Sequence, residues 1–170
     1  VYEAKPKMKK VYDSKDVAIL TYMLENAVNY GTGQSAKVLK NGQPIPMAGK
    51  TGTTSDYVSA WFTGYTPTLA TVVYVGNDDN KSMGPGMTGG AAAAPIWKTY
   101  MQTVVDLPNY NVGVFEFIDD YITRKDLTTR DIDLQIGLLD RDGVNKRTAL
   151  FKTGTEPVES EGKFRNGITF

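Results

Sequence analysis

Lys50-Thr51-Gly52-Thr53 places one ammonium, two hydroxyls and a bare backbone within four residues. On an extended strand, Lys50 and Gly52 share one side while Thr51 and Thr53 share the other. An edge strand twists, so the four still converge along its rim. There the ammonium and hydroxyls can offer a carboxylate charge-assisted hydrogen bonds of about 1.5–3 kcal/mol each. Gly52 leaves space for a second backbone, and an open edge can accept an extended peptide as an added strand. A backbone N–H near Thr53 can form half of an oxyanion hole, a donor whose loss typically costs about 10²–10³ in rate. The tetrapeptide alone is a weak signal, because it recurs at Lys152-Thr153-Gly154-Thr155.

The surrounding elements decide which copy carries chemistry. Upstream, "SKDVAILTYMLENAVNYG" spaces Val17, Leu20, Leu24, Ala27 and Val28 as a helical stripe, with Asp13 or Ser14 to cap its start and Gly31 its end. A polar loop with "GTGQS" follows. Residues 47–76 then turn β-rich: "MAGKTGTT", "SAWFTGY" and "ATVVYVG" make three short strands, the last two joined by a turn at "TPTL". This pattern predicts an antiparallel meander. After the Gly-rich "NDDNKSMGPGMTGG", Pro95 suits the first turn of a helix in which Ile96, Tyr100, Met101 and Val104 recur at helical spacing. Beyond Pro108, stretches such as "VGVFEF" and "IDLQIGLL" alternate, with turns at "RDG" and "NG". The chain therefore reads as α+β, an antiparallel sheet with packed helices over 1–108 and a small β-rich appendage over 109–170.

Composition narrows the chemistry. Lys+Arg and Asp+Glu balance at 19 each, so no global field points to nucleic acid, and the basic residues of the first twelve read as a solvated approach. The absence of Cys and His excludes a Ser-His-Asp triad and thiolate or imidazole metal sites within these residues. Acid–base work falls to Lys, Asp, Glu or Tyr, and no metal or organic cofactor is called for. Asp78 and Asp79 read as loop caps rather than a metal pair. No run approaches the ~18 apolar residues of a membrane helix. The start "VYEAKPKMKK" has no initiator Met and reads as a mature piece or an excised fragment.

Three other motifs fail on context. Gly49-Lys50-Thr51 ends like a phosphate-binding loop, but Pro44 stands where its first Gly belongs. Pro44 and Pro46 also remove amides that would face phosphate. Gly84, Gly86 and Gly89 match a dinucleotide fingerprint well past the nearest strand end, so a flexible loop is the simpler reading. Ser160 and Lys163 are formally a serine–lysine pair, yet they sit in polar, near-terminal sequence rather than on a helix.

The wider block "GTGQSAKV…PMAGKTGTTSDYVSAWFTGYTPTLATVVYVGNDD…MTGGAAAAPIWKTYM" resembles the C-terminal half of the transpeptidase domain of class A penicillin-binding proteins, over about residues 14–103. "GTEP" at 154–157 is similar to a C-terminal segment of that family, which makes the second triplet a coincidence. The resemblance implies a partial transpeptidase fold and serine acyl transfer at the D-Ala-D-Ala of a peptidoglycan stem peptide, with β-lactams as mimics that trap the serine. It implies that Lys50 organises the serine and the field of the cleft, that Thr51 and Thr53 bind the carboxylate, that Thr53 N–H is an oxyanion donor and that Gly52 keeps the strand open. Trp61 and Phe62 read as packing.

The family also uses S-x-x-K on a helix and S-x-N on a loop. These 170 residues hold no S-x-N and only the Ser160 form of S-x-x-K. The resemblance therefore implies a nucleophile on other polypeptide, a chain inactive alone, and pairing with the N-terminal half of the domain or with a copy of itself. It further implies a parent with a glycosyltransferase domain and a membrane anchor, working outside the cytoplasm. A non-catalytic module that binds peptidoglycan peptides or β-lactams through the same strand is the alternative.

Overall fold

The computed structural model describes residues 9–139 and 145–158. The Ser160–Lys163 pair, the turns at "RDG" and "NG", and residues 1–8 of the basic start lie outside the described residues. Two compact units emerge, residues 21–116 and the described residues of 1–20 with those of 117–170.

Helix α1 (Ser14–Asn29) crosses from the second unit into the first. Asp13 starts it, taking Lys15 N–H on its carboxylate at 2.8 Å and Val17 N–H on its carbonyl at 3.2 Å. The helix stops where Gly33 N–H returns to the Ala27 carbonyl at 3.0 Å. Its buried positions are Ala18, Thr21 and Val28, whereas Val17 and Leu20 of the expected stripe are 40% and 54% exposed. The helix is where the spacing put it, but its covered face is rotated by about one residue, roughly 100°.

In the unit of residues 21–116, a short ribbon of β1 (Leu39–Lys40) and β2 (Gln43–Pro44) precedes β3 (Ala48–Thr53), β4 (Ser59–Tyr65) and β5 (Ala70–Gly76). The last three form an antiparallel sheet in that order, so the expected meander is present and β3 is an edge among the described residues. Pairing of Thr51 with Phe62 and of Phe62 with Val73 puts these three on one face. A turn of π-helix (Gly89–Ala93) leads into α2 (Ala94–Val105), which covers that face with Ala94, Trp97, Met101 and Val105. Only Met101 of these was expected; Ile96 and Tyr100 are exposed. The 94-97-101-105 spacing follows the 3.6-residue period better than the expected set.

Phe62 and Trp97 meet edge-on with ring centroids 5.2 Å apart, and both are fully buried. Burial of a Phe side chain contributes about 1.5–3 kcal/mol, and such a pair adds about 0.5–1.5 kcal/mol. The indole N–H is satisfied by the Thr71 carbonyl at 3.0 Å. Gly64 makes this possible: a Cβ there would stand 2.8 Å from both rings. At the "TPTL" turn, Thr66 N–H donates to the Leu69 carbonyl at 2.8 Å, and the Thr66 hydroxyl bonds that of Tyr110 at 2.9 Å.

In the other unit, β6 (Leu127–Asp133) and β7 (Lys146–Lys152) pair antiparallel over their full length. This region, expected to be β-rich, also holds helix α3 (Glu116–Thr123), which takes in Glu116 and Phe117, the end of the "VGVFEF" stretch that had read as alternating. Ile118, Leu127 and Leu150 are buried here. Asp131 accepts the Thr148 hydroxyl at 2.7 Å and pairs with Lys146 Nζ at 3.0 Å. The Thr148 hydrogen bond first, and the Lys146 hydrogen bond next, hold its carboxyl below the ordinary 3.8. A lowered folded value means the contribution to stability is complete above 3.8 and disappears as pH falls through the folded value. Asp131→Asn is therefore expected to lower the melting temperature slightly at neutral pH and to match the parent in acid. Thermal unfolding across a pH series checks this; a difference that persists in acid would contradict it.

Candidate functional site: the open edge of the central sheet

The first Lys-Thr-Gly-Thr run is the last four of the six residues of β3. No α-helix follows it directly: a single tight 3-10 turn at Ser55–Tyr57 leads into β4, which removes the geometry of a phosphate-binding loop. Asp56 and Tyr57 turn there with φ of 57° and 55°. The turn is tied to the next loop by Ser82 Oγ donating to the Asp56 carbonyl and by Met83 N–H donating to the Tyr57 carbonyl at 2.9 Å.

Backbone parity shows which groups of β3 face outward. Thr54 N–H donates to the Ser59 carbonyl at 3.1 Å, so position 54 points toward β4. Alternation along an antiparallel strand then turns Gly52 and Lys50 toward β4, and the amides and carbonyls of Thr51 and Thr53 toward the open edge. The Thr51 carbonyl agrees, since it accepts Lys50 Nζ at 2.9 Å.

Of the side chains on this run, those of Lys50 and Thr51 meet, and that of Thr53 turns elsewhere. Lys50 is exposed, and its ammonium also reaches Thr51 Oγ1 at 3.2 Å, although the two residues start on opposite faces. Among the described residues no carboxylate pairs with Lys50. Thr53, also exposed, turns its hydroxyl oxygen to the Gly89 N–H at 2.9 Å, separate from the Lys50–Thr51 pair. Gly52 lies beside Trp61, whose Cβ would be 3.2 Å from a Cβ at position 52.

The second run is built differently. Lys152 Nζ is neutralised by Asp16 at 2.6 Å, and the hydrogen bond it donates to that carboxylate raises the lysine pKa. Thr153 is bound to the Lys125 carbonyl at 2.7 Å, and Gly154 turns with φ of 89°. This copy ends a strand, and its ammonium is already paired.

Sequence reasoning missed Thr32, which touches β3 from outside, and Ser35, which ties the turn of Thr32 to the segment at Gly90. Thr32 Oγ1 lies 2.7 Å from Thr51 Oγ1, and Ser35 Oγ donates to the Gly90 carbonyl at 2.5 Å. Of the two aromatics expected to pack, Phe62 does so; Trp61 stands on the opposite face, 42% exposed, its ring 4.7 Å from that of Tyr74. Asp79 is a loop cap, taking Lys81 N–H at 3.2 Å; the Lys81 side chain first, and this N–H next, lower its pKa. The Gly84–Gly86 turn is a loop, and Thr88 Oγ1 accepts Ala91 N–H at the start of the following helix.

A family model for the penicillin binding protein transpeptidase domain matches residues 2–102. The chain is 37% identical over 134 residues to penicillin-binding protein 1A of Aquifex aeolicus, a match covering 74% of this chain and 17% of that protein. It is 40% identical over 92 residues to penicillin-binding protein 1A of Pseudomonas aeruginosa, covering 54% and 11% respectively. The crystal structure of penicillin-binding protein 1A from Haemophilus influenzae superposes with a TM-score of 0.61 at 29% identity, over 89% of this chain and 22% of that one. The chain thus spans only a small part of each of these relatives.

Proposed function

Because this chain belongs to the penicillin-binding protein transpeptidase family, we propose that it forms one wall of a site that cross-links peptidoglycan stem peptides by serine acyl transfer at D-Ala-D-Ala. The observation that carries this reading is the ammonium of Lys50, held on the Thr51 carbonyl and hydroxyl at a strand edge that is unpaired among the described residues. A stem peptide adds along that edge as an extended strand. Its terminal carboxylate, or that of a β-lactam, takes the Thr51 and Thr53 hydroxyls, with Lys50 supplying charge. Thr53 N–H, on the open side of β3, stabilises the oxyanion as the tetrahedral intermediate forms. Gly52 keeps side chains out of the path.

The attacking serine belongs to polypeptide outside these residues, as do the glycosyltransferase domain, the membrane anchor and the extracytoplasmic placement that go with the reading. Among the described residues no helix is long and apolar enough to cross a membrane. Residues 1–108 serve as the transpeptidase part and 109–170 as its appendage. Trp61, Val72 and Tyr74, all exposed on the sheet face opposite α2, suit coverage by the upstream half of the domain or by a second copy.

A fluorescent penicillin tests the proposal. The isolated chain is expected to remain unlabelled; mixed with the upstream half, label should appear on the other polypeptide, and the two pieces should co-elute on a sizing column. Labelling of the isolated chain would mean that one of its own hydroxyls reacts. Reversible binding without covalent label, even in the mixture, would favour the non-catalytic module.

A further inference from the structure

We propose that Thr32 is a positioning residue, whose hydroxyl aims the Thr51 proton at the carboxylate of the incoming ligand. The inference rests on the reading above and deepens it. An ammonium can only donate, so Lys50 Nζ at 3.2 Å occupies one lone pair of Thr51 Oγ1. The second close neighbour of that oxygen is Thr32 Oγ1 at 2.7 Å, and by geometry either hydroxyl can give the proton. If Thr51 donates to Thr32, its only proton is spent inside the protein, and a ligand carboxylate meets an oxygen lone pair. If Thr32 donates, both lone pairs of Thr51 are filled and its proton is left for the ligand. An arriving anion selects the second arrangement, because a donor chain running toward a negative charge polarises each bond in turn.

Thr53 is prepared in the same sense. Its oxygen accepts the Gly89 N–H, which leaves its proton for a ligand. Two hydroxyls of β3 thus face an anion as donors, each with its oxygen occupied from behind.

Thr32 is fixed well enough for this work. Gly33 N–H and Gln34 Nε2 bond the Ala27 and Gly31 carbonyls, at 3.0 and 3.2 Å. Ser35 holds the Gly90 carbonyl, and a Cβ on Gly90 would stand 2.8 Å from the Thr32 carbonyl. The turn around Thr32 and the loop around Gly90 therefore lock together beside β3. Thr32 itself is exposed, so its side chain can be changed without opening a core.

The test uses the full-length polypeptide that carries these residues, with Thr32→Val and Thr32→Ser variants. Acylation rates are measured with benzylpenicillin and with its methyl ester, which lacks the anionic carboxylate. Thr32→Val is expected to acylate about tenfold more slowly with the acid and unchanged with the ester, and Thr32→Ser to restore the acid rate. Equal loss on both ligands, no loss on either, or failure of serine to rescue would overturn the role of Thr32. If the parent reacts with neither ligand, the transpeptidase reading itself fails, and this inference with it.

Discussion

Lys50→Ala in the full-length polypeptide is expected to lower the rate of penicillin acylation by about 10²–10³ while leaving the melting temperature nearly unchanged. The rate falls because the variant removes the charge of the open edge and the group that occupies the Thr51 carbonyl and hydroxyl. Stability holds because the side chain is exposed and has no carboxylate partner among the described residues. Arginine should not rescue, since its planar fork cannot reproduce a compact donor that reaches two oxygens of one residue. Lys152→Ala is the internal control. It deletes the same residue from the same tetrapeptide, costs an exposed ion pair with Asp16, and should leave acylation untouched. Equal losses at both lysines, or a normal rate in Lys50→Ala, would remove β3 from the chemistry.

Those two lysines also show what a sequence reveals about such a site. The tetrapeptide is identical in both copies, so the difference lies in the neighbours: a central sheet built from "SAWFTGY" and "ATVVYVG" in one case, an acidic partner more than a hundred residues away in the other. The three strands were legible because β-branched and aromatic runs stood between clear turns. Both flanking helices were legible by period, but their covered faces were not. Leu20 and Ile96 are as apolar as the residues beside them; what covers a helix is decided by Trp97 meeting Phe62, a contact the local pattern does not contain. The split between Trp61 and Phe62 needed only the two-residue period of a strand, which assigns neighbours to opposite faces. Thr32 was out of reach: its bond to Thr51 spans 19 residues and depends on where the helix before it ends. Helix α3 was hidden because "FEF" satisfies alternation as well as a helical start.

Gly89→Ala is expected to destabilise the sheet by about 3 kcal/mol and to reduce acylation with it, although the residue lies 36 positions from Thr53 in the chain. Its added Cβ would run into the Trp61 and Gly52 carbonyls and approach Gly52 N at 3.0 Å. All three atoms are backbone, from β3 and β4 together, so no side chain can rotate aside. Either the two strands part or the loop lifts, and lifting breaks the bond from Gly89 N–H to the Thr53 hydroxyl. The cause is space rather than conformation, which a second glycine separates. Gly84 has φ of 99° and nothing within 4 Å of an added Cβ, so Gly84→Ala should cost only the left-handed strain of about 1 kcal/mol. Its acylation rate should remain that of the parent. Melting temperature and penicillin acylation, measured on both variants of the full-length polypeptide, decide the matter. If Gly89→Ala keeps both properties, the loop does not hold the edge of β3, and the Thr53 N–H, proposed as the oxyanion donor, must owe its position to the sheet alone.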